Sequence, residues 1–164
     1  MESLNVEIVR IDLTNAKHRE ALVSLMDTYA CDVMGGGKAL SDFVKQQLPD
    51  ALLERENFHG VLAFVGESPA GLSVNFESFS TFACRPILNI HDFVVAEAFR
   101  GRGIAKLLLE SIEIIARELG CCKLTLEVLE GNERAQSIYQ RFGFNGYELD
   151  PKMGRALFYD KQIV

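Results

Sequence analysis

The stretch Asn89–Leu109, NIHDFVVAEAFRGRGIAKLLL, decides the fold. Its first part, Asn89 to Val95, is β-branched and apolar, the composition of a buried strand. Ala96 to Phe99 then read as a turn, and Arg100-Gly101-Arg102-Gly103-Ile104-Ala105 opens a long apolar-periodic segment. A strand, a small-residue turn and a helix start together make an anion site. The first N–H groups of a helix have no partner within it, and the helix dipole adds partial positive charge there. Gly101 and Gly103 let a phosphate approach the backbone with no Cβ in the way. Arg100, Arg102 and Lys106 add full charges around the same turn. The ligand this predicts is a polyphosphate.

Size and composition bound the rest. A chain of 164 residues, 48% hydrophobic and 24% charged, reads as one domain over residues 1–164 with a real core. The net charge of −6 argues against general nucleic-acid binding and makes the basic cluster at 100–106 stand out from its background. Cys31, Cys84, Cys121 and Cys122 show no metal-ligand spacing, so reduced structural cysteines and a cytoplasmic setting are expected, with no metal. Adjacent Cys121 and Cys122 fall at a strand start and are expected to point to opposite faces. The N-terminal MESLNVEIVRIDL is acidic early and lacks a long apolar run, and no other run is long enough to span a membrane.

In chain order, Val6 to Leu13 alternates as a first or edge strand. Asp12 or Thr14 can cap a helix over Ala16–Ala30 with Ala21, Leu22, Leu25, Met26 and Tyr29 on one face. Gly35-Gly36-Gly37 reads as a flexible linker, since it lacks the strand before it and the Gly-Lys-Ser/Thr ending of a phosphate loop. Ser41–Glu56 is a second helix that Pro49 kinks or divides. Val61–Val65 and Ala70–Phe82 are strands joined by the hairpin signal Gly66-Glu67-Ser68-Pro69, with Leu88–Val95 third in the series. A helix over Gly101–Leu119 follows, with Ile104, Leu107, Leu108, Ile112, Ile115 and Leu119 at core spacing. Then come a strand at Lys123–Val128 and a short helix at Asn132–Phe142 whose inner face is Ala135, Ile138, Tyr139 and Phe142. Phe144–Leu149 and Ala156–Ile163 are expected to finish the sheet. The fold class is α/β (α+β), a mixed central sheet of about six to seven strands with helices on both faces.

Two motifs in these contexts resemble a known family. Arg100-x-x-Gly103-x-Ala105 matches the acyl-CoA signature of the GCN5-related N-acetyltransferases, the GNAT family, with Ala105 in the second small position. Glu127-Val128, Asn132, Ala135, Tyr139 and Gly143-Phe144 fall at the spacing of its second block. The resemblance implies acetyl-CoA bound between two parallel central strands that splay apart, here Leu88–Val95 and Lys123–Val128. It implies the pyrophosphate on the backbone of Arg102 to Lys106, with Arg100, Gly101, Gly103, Ile104 and Ala105 in that binding turn. The pantetheine arm is then expected along Phe93, Val94 and Val95 as an extra strand, with Asn132 bonded to it and Tyr139 near the thioester sulfur.

Acyl transfer to an amine needs a neutral amine, a stabilised oxyanion and a proton for the departing thiolate. An alkylammonium has a pKa of about 10, so a base or a desolvating pocket must remove its proton. The expected oxyanion donor is the N–H of Val94 or Val95, and the proton donor is Tyr139. By spacing alone Tyr139 is a core aromatic beside Ile138 and Phe142. His91 and Asp92 are the base candidates, expected on opposite faces of their strand, with ordered water the alternative. An imidazole is the side chain type best suited to a general base near neutral pH, and His91 also reads as a packing residue; His18 and His59 are expected at exposed helix and turn positions. For the acceptor, Tyr29, Asp32, Glu77 and Asp92 can receive a cation through carboxylate pairing and aromatic contact. These acids read equally well as solvated side chains and the neighbouring phenylalanines as core. The partner expected is a small-molecule amine, with a homodimer compatible and neither nucleic acid nor membrane. A non-catalytic acyl-CoA sensor and a peptide or protein N-terminal acetyltransferase stand as alternatives.

Overall fold

The computed structural model describes residues 5–163. The first four residues of the acidic N-terminal stretch, and Val164 at the end of the expected domain, lie outside the described residues. The elements are β1 (Val6–Arg10), α1 (Ala16–Cys31), α2 (Asp42–Leu53), β2 (Phe58–Val65), β3 (Ser68–Ser80), β4 (Arg85–Val95), α3 (Ile104–Glu118), β5 (Lys123–Leu126) and α4 (Glu133–Phe142). They build one sheet in the order β1-β2-β3-β4-β5. Every pairing is antiparallel except β4 with β5, which is parallel. No helix among the described residues is long and apolar enough to cross a membrane.

Each sheet face has its own core. Leu22 and Leu25 of α1 and Leu52 of α2 pack with Leu62, Leu72, Val74 and Val94 on one side. Ile104, Leu108, Leu109, Ile112 and Ile115 of α3 pack with Val61, Ala63, Leu88, Ile90 and Tyr139 on the other. Burying a Leu or Ile side chain fully is worth about 1.5–3 kcal/mol, so both layers hold the sheet strongly. The 3.6-residue period explains which α3 residues turn inward. Leu107 falls off that stripe and is exposed, unlike the core position expected of it.

Several expectations change. Among the described residues the sheet has five strands rather than six or seven, because Phe144–Leu149 and Ala156–Ile163 do not pair. Alternation is a local signal, while a strand exists only through a partner; Pro151 and Gly154 break this segment, and a 3-10 turn at Pro151–Met153 occupies its middle. Leu149, Leu157, Phe158, Tyr159 and Ile163 are exposed in consequence. Helix α3 begins at Ile104, with Gly103 in the left-handed region as its N-cap. Asn15 caps α1, its side chain accepting from the N–H of Lys17 and His18. Helix α2 runs unbroken through the buried Pro49. The glycines after α1 form a built turn: Gly35 and Gly37 N–H both donate to the Asp32 carbonyl at 2.9 Å. His59 lies on β2, half-buried, with no hydrogen bond at its Nε2.

Helix α3 is seated on the sheet at Gly71. A Cβ there would stand 2.9 Å from Leu108 Cδ1 and 3.2 Å from Ile104 Cγ2. Gly71→Val should therefore lower stability by about 1–3 kcal/mol through overpacking. Urea unfolding checks this, and an unchanged midpoint would contradict the close seating.

Candidate active site

Strands β4 and β5 pair only from Ile87↔Lys123 to Ile90↔Leu126. Just before they part, Asn89 Nδ2 donates to Thr125 Oγ1 at 3.0 Å. β4 then runs on to Val95 with no strand on that side among the described residues. Into the opening face a cavity of about 1010 Å³, at the top of the range of about 300–1,000 Å³ usual for small-molecule sites. The free β4 edge, the turn before α3, the end of α1 and one side of α4 line it.

Most of the expected residues come together here. Phe93, Val94, Val95, Arg100, Gly101, Gly103, Ile104, Ala105, Lys106, Asn132 and Tyr139 line the cavity, as do Tyr29, Asp32 and His91. Gly101 and Gly103 take φ of +76° and +81°, and a Cβ on either would meet nothing within 4 Å. That combination suits glycine and leaves room for a ligand against the backbone. Arg102 is exposed and outside the lining. Asn132 caps α4, its Oδ1 accepting from the Ala135 N–H at 3.2 Å, which leaves its amide protons available.

Tyr139 sits between Phe93 and Phe144, edge-on to each at ring-centroid separations of 5.9 and 5.8 Å. Burial pushes its phenol up to about 12, and Tyr29 acts in the same direction. The hydroxyl is thus a protonated donor throughout the neutral range.

The register of β4 changes where the base candidates lie. Asp92 pairs with Val74 and Ile90 with Asn75, so His91 is an extra residue, a β-bulge. The bulge cancels one step of alternation. His91 packs edge-on against Phe76 at 5.5 Å and Asp92 lies opposite Val74, both of the α1-side layer. The two side chains therefore share a face, contrary to the opposite faces expected. Burial raises the Asp92 carboxyl, which the His91 charge partly offsets. Burial also raises the Tyr29 phenol, helped by the Asp92 and Asp32 carboxylates. Glu77 is elsewhere: its Oε2 lies 3.8 Å from His59 Nε2 and outside the cavity.

Several lining residues escaped the sequence reading, among them Val33, Met34, Arg134, Arg141 and Phe158. Val33 and Met34 arrive through the 3-10 turn at Val33–Gly35, which carries no periodic signal. Arg134 and Arg141 also line the cavity; their seven-residue spacing around Ile138 marks one helix face and was a usable signal.

A model of the acetyltransferase (GNAT) family matches residues 25–144, well over half of the chain. The chain belongs to the GNAT family. Among its GNAT relatives, thialysine N-epsilon-acetyltransferase of Caenorhabditis elegans is 32% identical over 87 residues, covering 53% of this chain and 54% of that protein. Streptothricin acetyltransferase of Streptomyces lavendulae is 37% identical over 87 residues, 53% of this chain and 46% of that protein. The chain spans about half the length of the curated relatives it matches. In fold, an aminoglycoside N-acetyltransferase solved in complex with CoA superposes with a TM-score of 0.75 at 20% identity, over 97% of this chain and 96% of that one.

Tyr139 can be read out directly among the four tyrosines of the sequence. In an ultraviolet titration one tyrosine should ionise only near pH 12, and Tyr139→Phe should remove that last step. The linkage follows in sign. A phenol raised from about 10 to about 12 contributes stability that is complete below pH 10 and lost as pH rises towards 12. Ionisation of all four below pH 11 would contradict the buried placement.

Proposed function

We propose that the protein transfers an acetyl group from acetyl-CoA to the primary amine of a small cationic acceptor. The observation that carries this reading is Tyr139, a buried phenol held protonated on the cavity wall opposite the free edge of β4. The residues present fit the donor. The left-handed Gly101 and Gly103 and the first turn of α3 suit a pyrophosphate. The unpaired edge of β4 suits the amide-bearing pantetheine arm, and the amide protons of Asn132 suit its carbonyls. Lys106, Arg134 and Arg141 supply counter-charge on the same wall.

The acceptor side is aromatic and anionic. Tyr29 lines it, and the Asp92 carboxylate lies near enough to raise that phenol. Such a wall favours an ammonium over a neutral or anionic acceptor. The names of the thialysine and streptothricin relatives are in keeping with an amine-bearing small molecule. His91, beside Asp92 on the bulge, takes the ammonium proton. The freed amine nitrogen bonds to the acyl carbon and the carbon–sulfur bond breaks. The nitrogen sheds its second proton to water as the amide forms; Tyr139 gives its proton to the departing thiolate and is reprotonated from water, and His91 returns its proton to solvent. The products are the amide and free CoA.

Thiol release from acetyl-CoA across a panel of polyamines, amino acids and amino sugars tests the activity. Turnover should depend on a cationic amine, and Tyr139→Phe should lower kcat about a hundredfold with CoA affinity nearly unchanged. Wild-type kcat in that variant would remove Tyr139 from the reaction. CoA binding with no amine-dependent thiol release would favour a sensor.

A further inference from the structure

Arg100 does not face the phosphate turn alone. Its Nε–H donates to the Val95 carbonyl at 3.0 Å, and its Nη2 donates to Asp32 Oδ2 at 3.2 Å. Asp32 is equally committed. Its Oδ1 accepts from the Met34 N–H at 2.9 Å, and its carbonyl accepts from Gly35 and Gly37 at 2.9 Å each. That turn is pressed against the end of α1, since a Cβ on Gly35 would stand 1.9 Å from the Tyr29 carbonyl oxygen. Each oxygen of Asp32 therefore already accepts a hydrogen bond, which gives the residue a task beside any contact with an acceptor ammonium. The Met34 N–H, and then Arg100, hold its carboxyl below the usual range, so the pair stays charged at neutral pH.

The pair joins segments that are 68 residues apart in sequence and that both line one cavity. Val33 and Met34 stand on the acceptor wall, and Arg100 opens the donor turn. We propose that the Asp32–Arg100 pair is a strut that couples the two half-sites, with Asp32 a positioning residue for the donor turn. Binding that fixes the donor turn then also fixes the Val33–Gly35 turn, because coupling between two sites acts in both directions. This rests on the acetyl-CoA reading of the donor site.

Calorimetric titration with CoA alone, without any amine, tests the strut. Asp32→Asn keeps an acceptor for the Met34 N–H but removes the charge that holds Arg100. Its Kd for CoA should rise about tenfold, equivalent to about 1.4 kcal/mol, with Asp32→Glu recovering most of the loss. In the wild type, CoA should also slow hydrogen exchange at the Gly35 and Gly37 amides. If Asp32→Asn fails to fold, Arg100→Lys serves instead. It keeps the charge but lacks the fork that reaches Val95 and Asp32 together, and should weaken CoA similarly. A wild-type or tighter Kd in the folded variant, or unchanged exchange at Gly35 and Gly37, overturns the strut alone. A wild-type protein that does not bind CoA overturns the donor reading, and the strut with it.

Discussion

Strands β4 and β5 are hydrogen-bonded for four rungs and then part, and the site exists because they do. Leaving buried backbone N–H and C=O groups unpaired costs about 1–3 kcal/mol each, so a sheet does not open without support. Here each lip is held separately. Asn89 to Thr125 ties the strands at the base of the opening. On one lip, α3 is drawn tight against the sheet at Gly71, which places its N-terminus beside the end of β4. On the other, Phe93, Tyr139 and Phe144 stack edge to edge and hold α4. The gap that results exposes a strand edge to a cavity instead of to a fourth rung's successor.

Charge is distributed over this frame with little waste. The chain carries a net charge of −6, yet Arg100, Lys106, Arg134 and Arg141 all stand on the cavity wall. The opposing carboxylates are sorted by their partners. Asp32 accepts from Arg100 and the Met34 N–H, whereas Asp92, half-buried next to the bulge, has its carboxyl raised by burial with the His91 charge as the offset. The two acids thus stand differently: Asp32 lines the cavity and is tied to the donor turn, whereas Asp92 lies outside the lining, near enough to Tyr29 to raise its phenol.

Much of this was legible in the residues. The strand, glycine turn and helix at 89–109 follow from local chemistry, and the inner face of α4 follows from periodicity, because both signals are short-range. The bulge at His91 was not legible: Ile90 and Phe93 both face the α3 side, and their apolar neighbours hide the lost step of alternation. The Asp32–Arg100 pair depends on tertiary approach across most of the chain and has no sequence trace. Glu77 read as an acceptor ligand because it lies among phenylalanines, but β3 carries it past the cavity to His59. Two more strands were expected after Gly143, and pairing, which no local pattern guarantees, did not follow.

The most direct test of the account is where CoA touches the backbone. Amide chemical shifts in an isotope-labelled sample, followed through a CoA titration, report this residue by residue. The account predicts the largest changes at Phe93–Val95 and Gly101–Lys106, with Asn132 following. Changes confined to other segments, with the β4 edge and the α3 turn silent, would contradict it.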